Sequence, residues 1–210
     1  MEHQVSYLDQ QLNDYDYIGV GRDDGKTKGE YCAIYFKRNQ VEVLKTGTFW
    51  LSETPLKVSV GWDASMERIC TYGLFRDLRT EQQFWAFNTH FDHRGPIARE
   101  KSASLLVRQI TKLNPQQLPV VLMGDFNATP EEAPIEILSA YYEDGFRVVE
   151  NPPSKEGTNI GFVGDQEDRR IDFIFSNGFK VLKYDHLDPK TSKGRNLSDH
   201  LPVVIGLQLK

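Results

Sequence analysis

The stretch LPVVLMGDFN, residues 118 to 127, constrains the fold more than any other part of the chain. It is an apolar run of strand length that ends abruptly on Asp125 and Asn127, with Pro130 just beyond. A strand with one wet face alternates apolar and polar residues, whereas an unbroken run of this kind is buried on both faces. A sheet built around such a strand has to be covered on both sides, so the rest of the chain must supply the covering layers.

The flanking sequence offers them. Val5, Leu8 and Leu12 fall on one face of a short first helix. Strands are expected over YDYIGV (15–20), YCAIYFKR (31–38) and VEVLKTGTFW (41–50), with a Gly- and charge-rich loop at 21–30 and a turn at Asn39-Gln40. Residues 67–78 and 81–91 read as a hairpin about Arg79-Thr80. From Pro96 to Leu113 the apolar positions Ile97, Leu105, Leu106, Ile110 and Leu113 take helical spacing, opened by proline and closed at Asn114-Pro115. A second helix is expected from Thr129-Pro130 to Gly145, and late strands over 169–176, 179–187 and 201–209. Many strands with few helices, mostly not alternating strictly, predict mixed sheets sandwiched between helices in one α/β (α+β) domain spanning 1–210.

Bulk properties exclude several functions. A net charge of −5 lacks the basic stripe of a protein that grips nucleic acid mainly through its phosphates. No segment has the apolar length of an integral membrane span. Cys32 and Cys70, the only cysteines, sit in strand-like runs and read as buried thiols, which favours a reducing, cytoplasmic compartment; an upstream secretion signal is left open.

Four predicted strand ends carry acids, imidazoles and amides: NTHFDH at 88–93, GDFN at 124–127, RRID at 169–172 and SDH at 198–200. Each has an ordinary structural explanation. Asp125 and Asn127 suit an Asx turn, His90 an interior histidine, Asp172 a partner for Arg169 or Arg170, and Asp199 a loop closure before Pro202. Together they place reactive groups where a rigid sheet holds them with little positional error. The chemistry they suit is phosphate-ester hydrolysis helped by Mg²⁺ or Mn²⁺, with hard carboxylate ligands and an imidazole fixed by an acid behind it.

In this order the motifs NTHFDH, GDFNATP, RRIDFIF and SDHLPV resemble the endonuclease/exonuclease/phosphatase superfamily, and GVGRDDG, GTFWLSETP and GWDA resemble a bacterial branch described as predicted hydrolases. The resemblance implies a four-layer sandwich of two mixed β-sheets flanked by helices, with the active site at one rim. It also implies roles. Asp125 would bind or deprotonate the attacking water, and Asn127 would orient water or phosphate. Asp199 would bind metal, and His200 would hydrogen-bond the scissile phosphate with Asp172 behind it. His90 would be the second imidazole, with Glu53 as its acid.

Members of that superfamily begin with a strand carrying an Asn and a second strand ending in Gln-Glu, whose Glu binds metal. Neither motif precedes the first helix here, so the domain is expected to be N-terminally incomplete, and Glu2 fits a helix's first turn better than a ligand position. The expected activity is metal-dependent hydrolysis of a phosphodiester, nucleic acid or phosphorylated small molecule. The alternative is a catalytically weakened module that binds phosphate ligands. Arg22, Arg68, Arg94, Arg99, Lys190, Lys193 and Arg195 are candidate phosphate clamps, and Trp50, Trp62, Phe91 and Phe162 candidate stacking platforms.

Overall fold

In the computed structural model, which describes residues 1–162 and 169–210, the apolar run is an inner strand of a mixed sheet. In chain order the elements are α1 (Glu2–Gln11), β1 (Tyr15–Ile18), β2 (Ile34–Lys37), β3 (Val41–Trp50), β4 (Ile69–Asp77), β5 (Gln83–His90), α2 (Pro96–Leu113), β6 (Val120–Asp125), α3 (Ala133–Ser139), β7 (Glu143–Asp144), α4 (Gly145–Val148), β8 (Asp172–Asn177), β9 (Phe179–His186) and β10 (Val203–Leu209). Among the described residues, six strands form the main sheet in the order β3-β4-β5-β6-β8-β7. Only β5 and β6 run parallel, because α2 carries the chain back between them; the other pairs are antiparallel.

Period-2 alternation sends side chains of the same strands to two different cores. Trp85, Phe87, Val120, Leu122, Phe173 and Phe175 face α2 and α3, where they pack with Ala103, Leu106, Ile110, Ile135 and Leu138. Burying each of the larger side chains contributes roughly 1.5–3 kcal/mol. On the opposite face Phe84, Ala86 and Met123 pack under the β1–β2 ribbon with Ile18, Ile34 and Phe36. Val121, Met123 and Ile174 meet Tyr184, Val203 and Ile205 of the β9–β10 ribbon. The second strand layer therefore consists of two antiparallel ribbons. α1 joins its outer side through Val5, whose carbonyl accepts from Tyr35 Oη; Leu8 of the same helix stays exposed.

The expected hairpin is present, its turn held by the Asp77 carboxylate, which accepts from Arg79 N and Thr80 N. Both cysteines are buried free thiols, and burial pushes Cys32 up to about 12. The helix expected over 130–145 is shorter. Thr129 to Glu132 form a turn closed by the Glu132 carboxylate on Thr129 N, and α3 ends at Ser139. Gly145 opens α4 instead of closing a helix, with Asp144 capping Phe146 N. A Cβ at Gly145 would stand 2.9 Å from the Ile174 carbonyl, so glycine serves the close approach to β8.

Candidate active site

Strand register brings the polar strand ends together. His90 is level with Asp125 across the parallel β5–β6 pair, and Asp125 is level with Asp172 across β6–β8. All three continue the sheet face that bears Ala86, Met123 and Ile174, so they project from one rim on the side of the two ribbons. His200 arrives from the loop before β10, and its Nδ1 lies 2.7 Å from Asp172 Oδ2. His90 Nε2 lies 3.2 Å from Asp125 Oδ2. The side chains of Asp125, Asp172 and His200 remain 18–24% exposed, open to solvent yet held by neighbours.

Gly124 makes this register possible. It has φ +147°, and a Cβ there would stand 1.9 Å from the Thr89 carbonyl of β5. Beyond Asp125 the chain turns through an Asx bond, Asn127 N donating to Asp125 Oδ1 at 2.8 Å, with Asn127 in the left-handed region at φ 47°. The Asn127 amide also donates to Phe91 O at 3.0 Å, tying the ends of β5 and β6 together. The Asx turn and the rim position thus coexist in one segment.

The carboxylates divide their partners clearly. Arg170, fully buried, pairs with Asp144 at 2.8 Å and Glu156 at 3.0 Å, leaving Asp172 to His200. Burial alone would raise the Asp125 carboxyl, but the hydrogen bond and charge of His90 and the Asn127 N–H outweigh it and hold the group below the usual range. The Asp172 hydrogen bond raises His200 against the opposing effect of its burial.

Glu53 is a correction to the sequence reading. Its Oε2 is 3.3 Å from Trp62 N, and the carboxylate facing His90 is Glu30, whose Oε2 lies 3.7 Å from Nδ1. The β1–β2 loop reaches over the rim, and Arg22 Nη1 fixes that same Glu30 oxygen at 2.5 Å. No local pattern in the sequence links Glu30 to a histidine sixty positions away. Asp199 adjoins His200, but among the described residues the three groups close enough to share an ion, with ligating atoms within 4.8 Å of one another, are Asp125, Asp172 and His200. Asp199 Oδ1 is 3.3 Å from Ser198 Oγ, and its carbonyl accepts from Ile160 N and Gly161 N.

The clamp and platform candidates separate. Arg68 is buried against Asp92 at 3.3 Å, Arg99 reaches Glu132 and Asp92 O, and Lys190 pairs with Asp188. Trp50 and Phe91 belong to the core, whereas Phe162 is exposed. Residues missed in the sequence include Thr158, whose buried hydroxyl accepts from Ile171 N and Asp172 N, and Asn159, which contacts His200.

Two strand layers with helices outside, and acid–imidazole pairs at one rim of the main sheet, make this a layered α/β protein with a polar cluster at its strand ends. The chain belongs to the Endonuclease/Exonuclease/phosphatase family, which matches residues 2–200. Among solved structures it is similar to an endonuclease/exonuclease/phosphatase family protein of Bacteroides thetaiotaomicron. That pair is 37% identical with a TM-score of 0.93, over 98% of this chain and 77% of that one. It is also similar to a mannosyl-6-phosphatase of the same organism, 36% identical with a TM-score of 0.91, over 99% of this chain and 82% of that one. An uncharacterized protein of Acanthamoeba polyphaga mimivirus is 30% identical over 92% of this chain and 76% of its own length.

Proposed function

We propose that this protein hydrolyses phosphate monoesters of small sugars with the help of a divalent cation, Mg²⁺ or Mn²⁺. The observation that carries the reading is the register of His90, Asp125 and Asp172 across three adjacent strands, with His200 bonded to Asp172. Likeness to a mannosyl-6-phosphatase along almost the whole chain favours a sugar phosphate, and the net charge of −5 disfavours a long polyanion.

The donor set fits a hard cation. Asp125, Asp172 and Glu30 bring three carboxylates to one region against two imidazoles, and Asp199 adjoins His200 in the chain. Asp125 and Asp172 lie close enough together to share an ion, and Asp199, next to His200 in the chain, is the further carboxylate that would reach it. When bound, it would offset charge on the phosphoryl oxygens and favour ionisation of water.

The protein's own groups then divide the work. Both Asp125 oxygens already accept hydrogen bonds and the group stays ionised, so it holds and orients water better than it takes a proton. Asp172 accepts from His200 Nδ1–H, which turns Nε2 towards the substrate and favours the charged imidazolium opposite a phosphate. His90 bridges Glu30 and Asp125, with a carboxylate on each ring nitrogen, and would position Asp125 at the same rim. A panel of hexose 6-phosphates, a phosphodiester and single-stranded DNA, each with Mg²⁺, tests the reading. Phosphate release from the sugar esters is expected to exceed turnover of the others; preference for DNA would overturn it.

A further inference from the structure

On that reading, His200 Nε2 is the atom that must face the phosphate, yet a side chain already lies on it. Asn159 Nδ2 is 3.0 Å from His200 Nε2. The backbone around Asn159 is pinned on both sides. Thr158 N and Asn159 N donate to Arg169 O, Ile160 N and Gly161 N donate to Asp199 O, and Leu201 N donates to Thr158 O. The segment is thereby fixed between β8's approach and the loop that carries His200, so the carboxamide is presented from a rigid base.

The other end of that carboxamide is unsatisfied. Asn159 Oδ1 is buried and has no hydrogen-bond partner among the described residues. A carboxamide kept for structure would bond through both ends, because leaving a buried acceptor empty is costly. Among the described residues this one bonds only to the imidazole, Nδ2–H donating to Nε2 of the neutral ring, and it has a second N–H to spare.

We infer that Asn159 is a substrate-binding residue whose amide, together with His200 Nε2, donates to one oxygen of the substrate's phosphoryl group, the two side chains leaning on each other until the phosphate enters between them. An uncharged donor suits this place, since Asp125 and Asp172 already bring negative charge close to His200.

The proposal rests on the phosphoesterase reading, and its test separates the two. Asn159→Ala and Asn159→Asp are compared with the unaltered protein for hydrolysis of p-nitrophenyl phosphate at saturating Mg²⁺. Binding of inorganic phosphate is followed by calorimetry in parallel. Asn159→Ala should raise KM and weaken phosphate binding by about tenfold, with kcat changed less. Asn159→Asp should bind phosphate more weakly still, because a carboxylate repels the anion. Both should melt within about 2 °C of the unaltered protein, as expected for a partly exposed side chain with one hydrogen bond. If the amide only braced His200, Asp would replace it well, since a carboxylate accepts from the imidazolium. Asn159→Asp matching the unaltered protein therefore overturns the inference, as does unchanged phosphate affinity in Asn159→Ala, or no phosphate binding by the unaltered protein. Phosphate binding that depends on Asn159 without any hydrolysis would uphold the subsite and refute the phosphoesterase reading alone.

Discussion

Replacing Gly124 by alanine should damage both stability and activity, by amounts the geometry sets. The residue has φ +147°, where L side chains are strained by about 1–3 kcal/mol. The added Cβ would stand 1.9 Å from the Thr89 carbonyl oxygen, against 3.4 Å for the nearest ordinary contact, so the strands must separate by about 1.5 Å (3.4 − 1.9). Overpacking of a tight interior adds a further 1–3 kcal/mol or so. The sum, about 4 kcal/mol, corresponds to a fall in Tm of roughly 8–16 °C for a domain of this size. The same displacement opens the 3.2 Å His90–Asp125 contact at the next position of the ladder, so turnover should fall at least tenfold or so. Thermal unfolding followed by circular dichroism, with steady-state hydrolysis beside it, measures both. A variant melting within 2 °C or so of the unaltered protein and retaining its kcat would refute the account of how β5 and β6 are set level.

Asp92→Asn should cost about 3–5 kcal/mol, because it leaves the buried Arg68 guanidinium without its counter-charge, and urea unfolding will show it. Burial pushes the Asp92 carboxyl up, but hydrogen bonds from Gly95, Arg94 and Ser65 outweigh it and hold the pKa well below normal. Its folded pKa lies under its unfolded one, so the stabilisation is present above about pH 4 and fades as pH falls below that; the gap between unaltered protein and variant should narrow there. Asp199→Ala should raise the Mg²⁺ concentration for half-maximal rate about tenfold while high Mg²⁺ restores much of the turnover; loss that no Mg²⁺ concentration rescues would count against a ligand role. Glu30→Gln should lower kcat about tenfold with little change in urea midpoint, and an unchanged kcat would remove Glu30 from behind His90.

The layers of the fold were legible because periodicity encodes them. The alternation in β5 and β8 and the helical spacing in α2 each match a core cluster. His90, Asp125 and Asp172 were also legible as strand ends, since sheet register sets them level and local sequence marks where strands stop, and His200 as a polar residue on the approach to a strand. Glu30 and Asn159 were not. Both sit on irregular segments whose approach to the rim is decided by long-range packing, here by Arg22 holding Glu30 and by Asp199 and Arg169 pinning residues 158–161. Gly145 was misread for a related reason. A glycine after a helical run looks like a stop, and only the neighbouring strand reveals that it is a point of close approach.

The proposed function makes the rim a metal-assisted phosphoesterase site. Its most direct test is release of p-nitrophenol from p-nitrophenyl phosphate by the unaltered protein and by His200→Ala, in EDTA and after restoring Mg²⁺ or Mn²⁺. The account predicts silence in EDTA, recovery with metal, and a fall of at least a hundredfold or so in kcat for His200→Ala at saturating metal. Hydrolysis that survives EDTA, or that His200→Ala leaves intact, would contradict it.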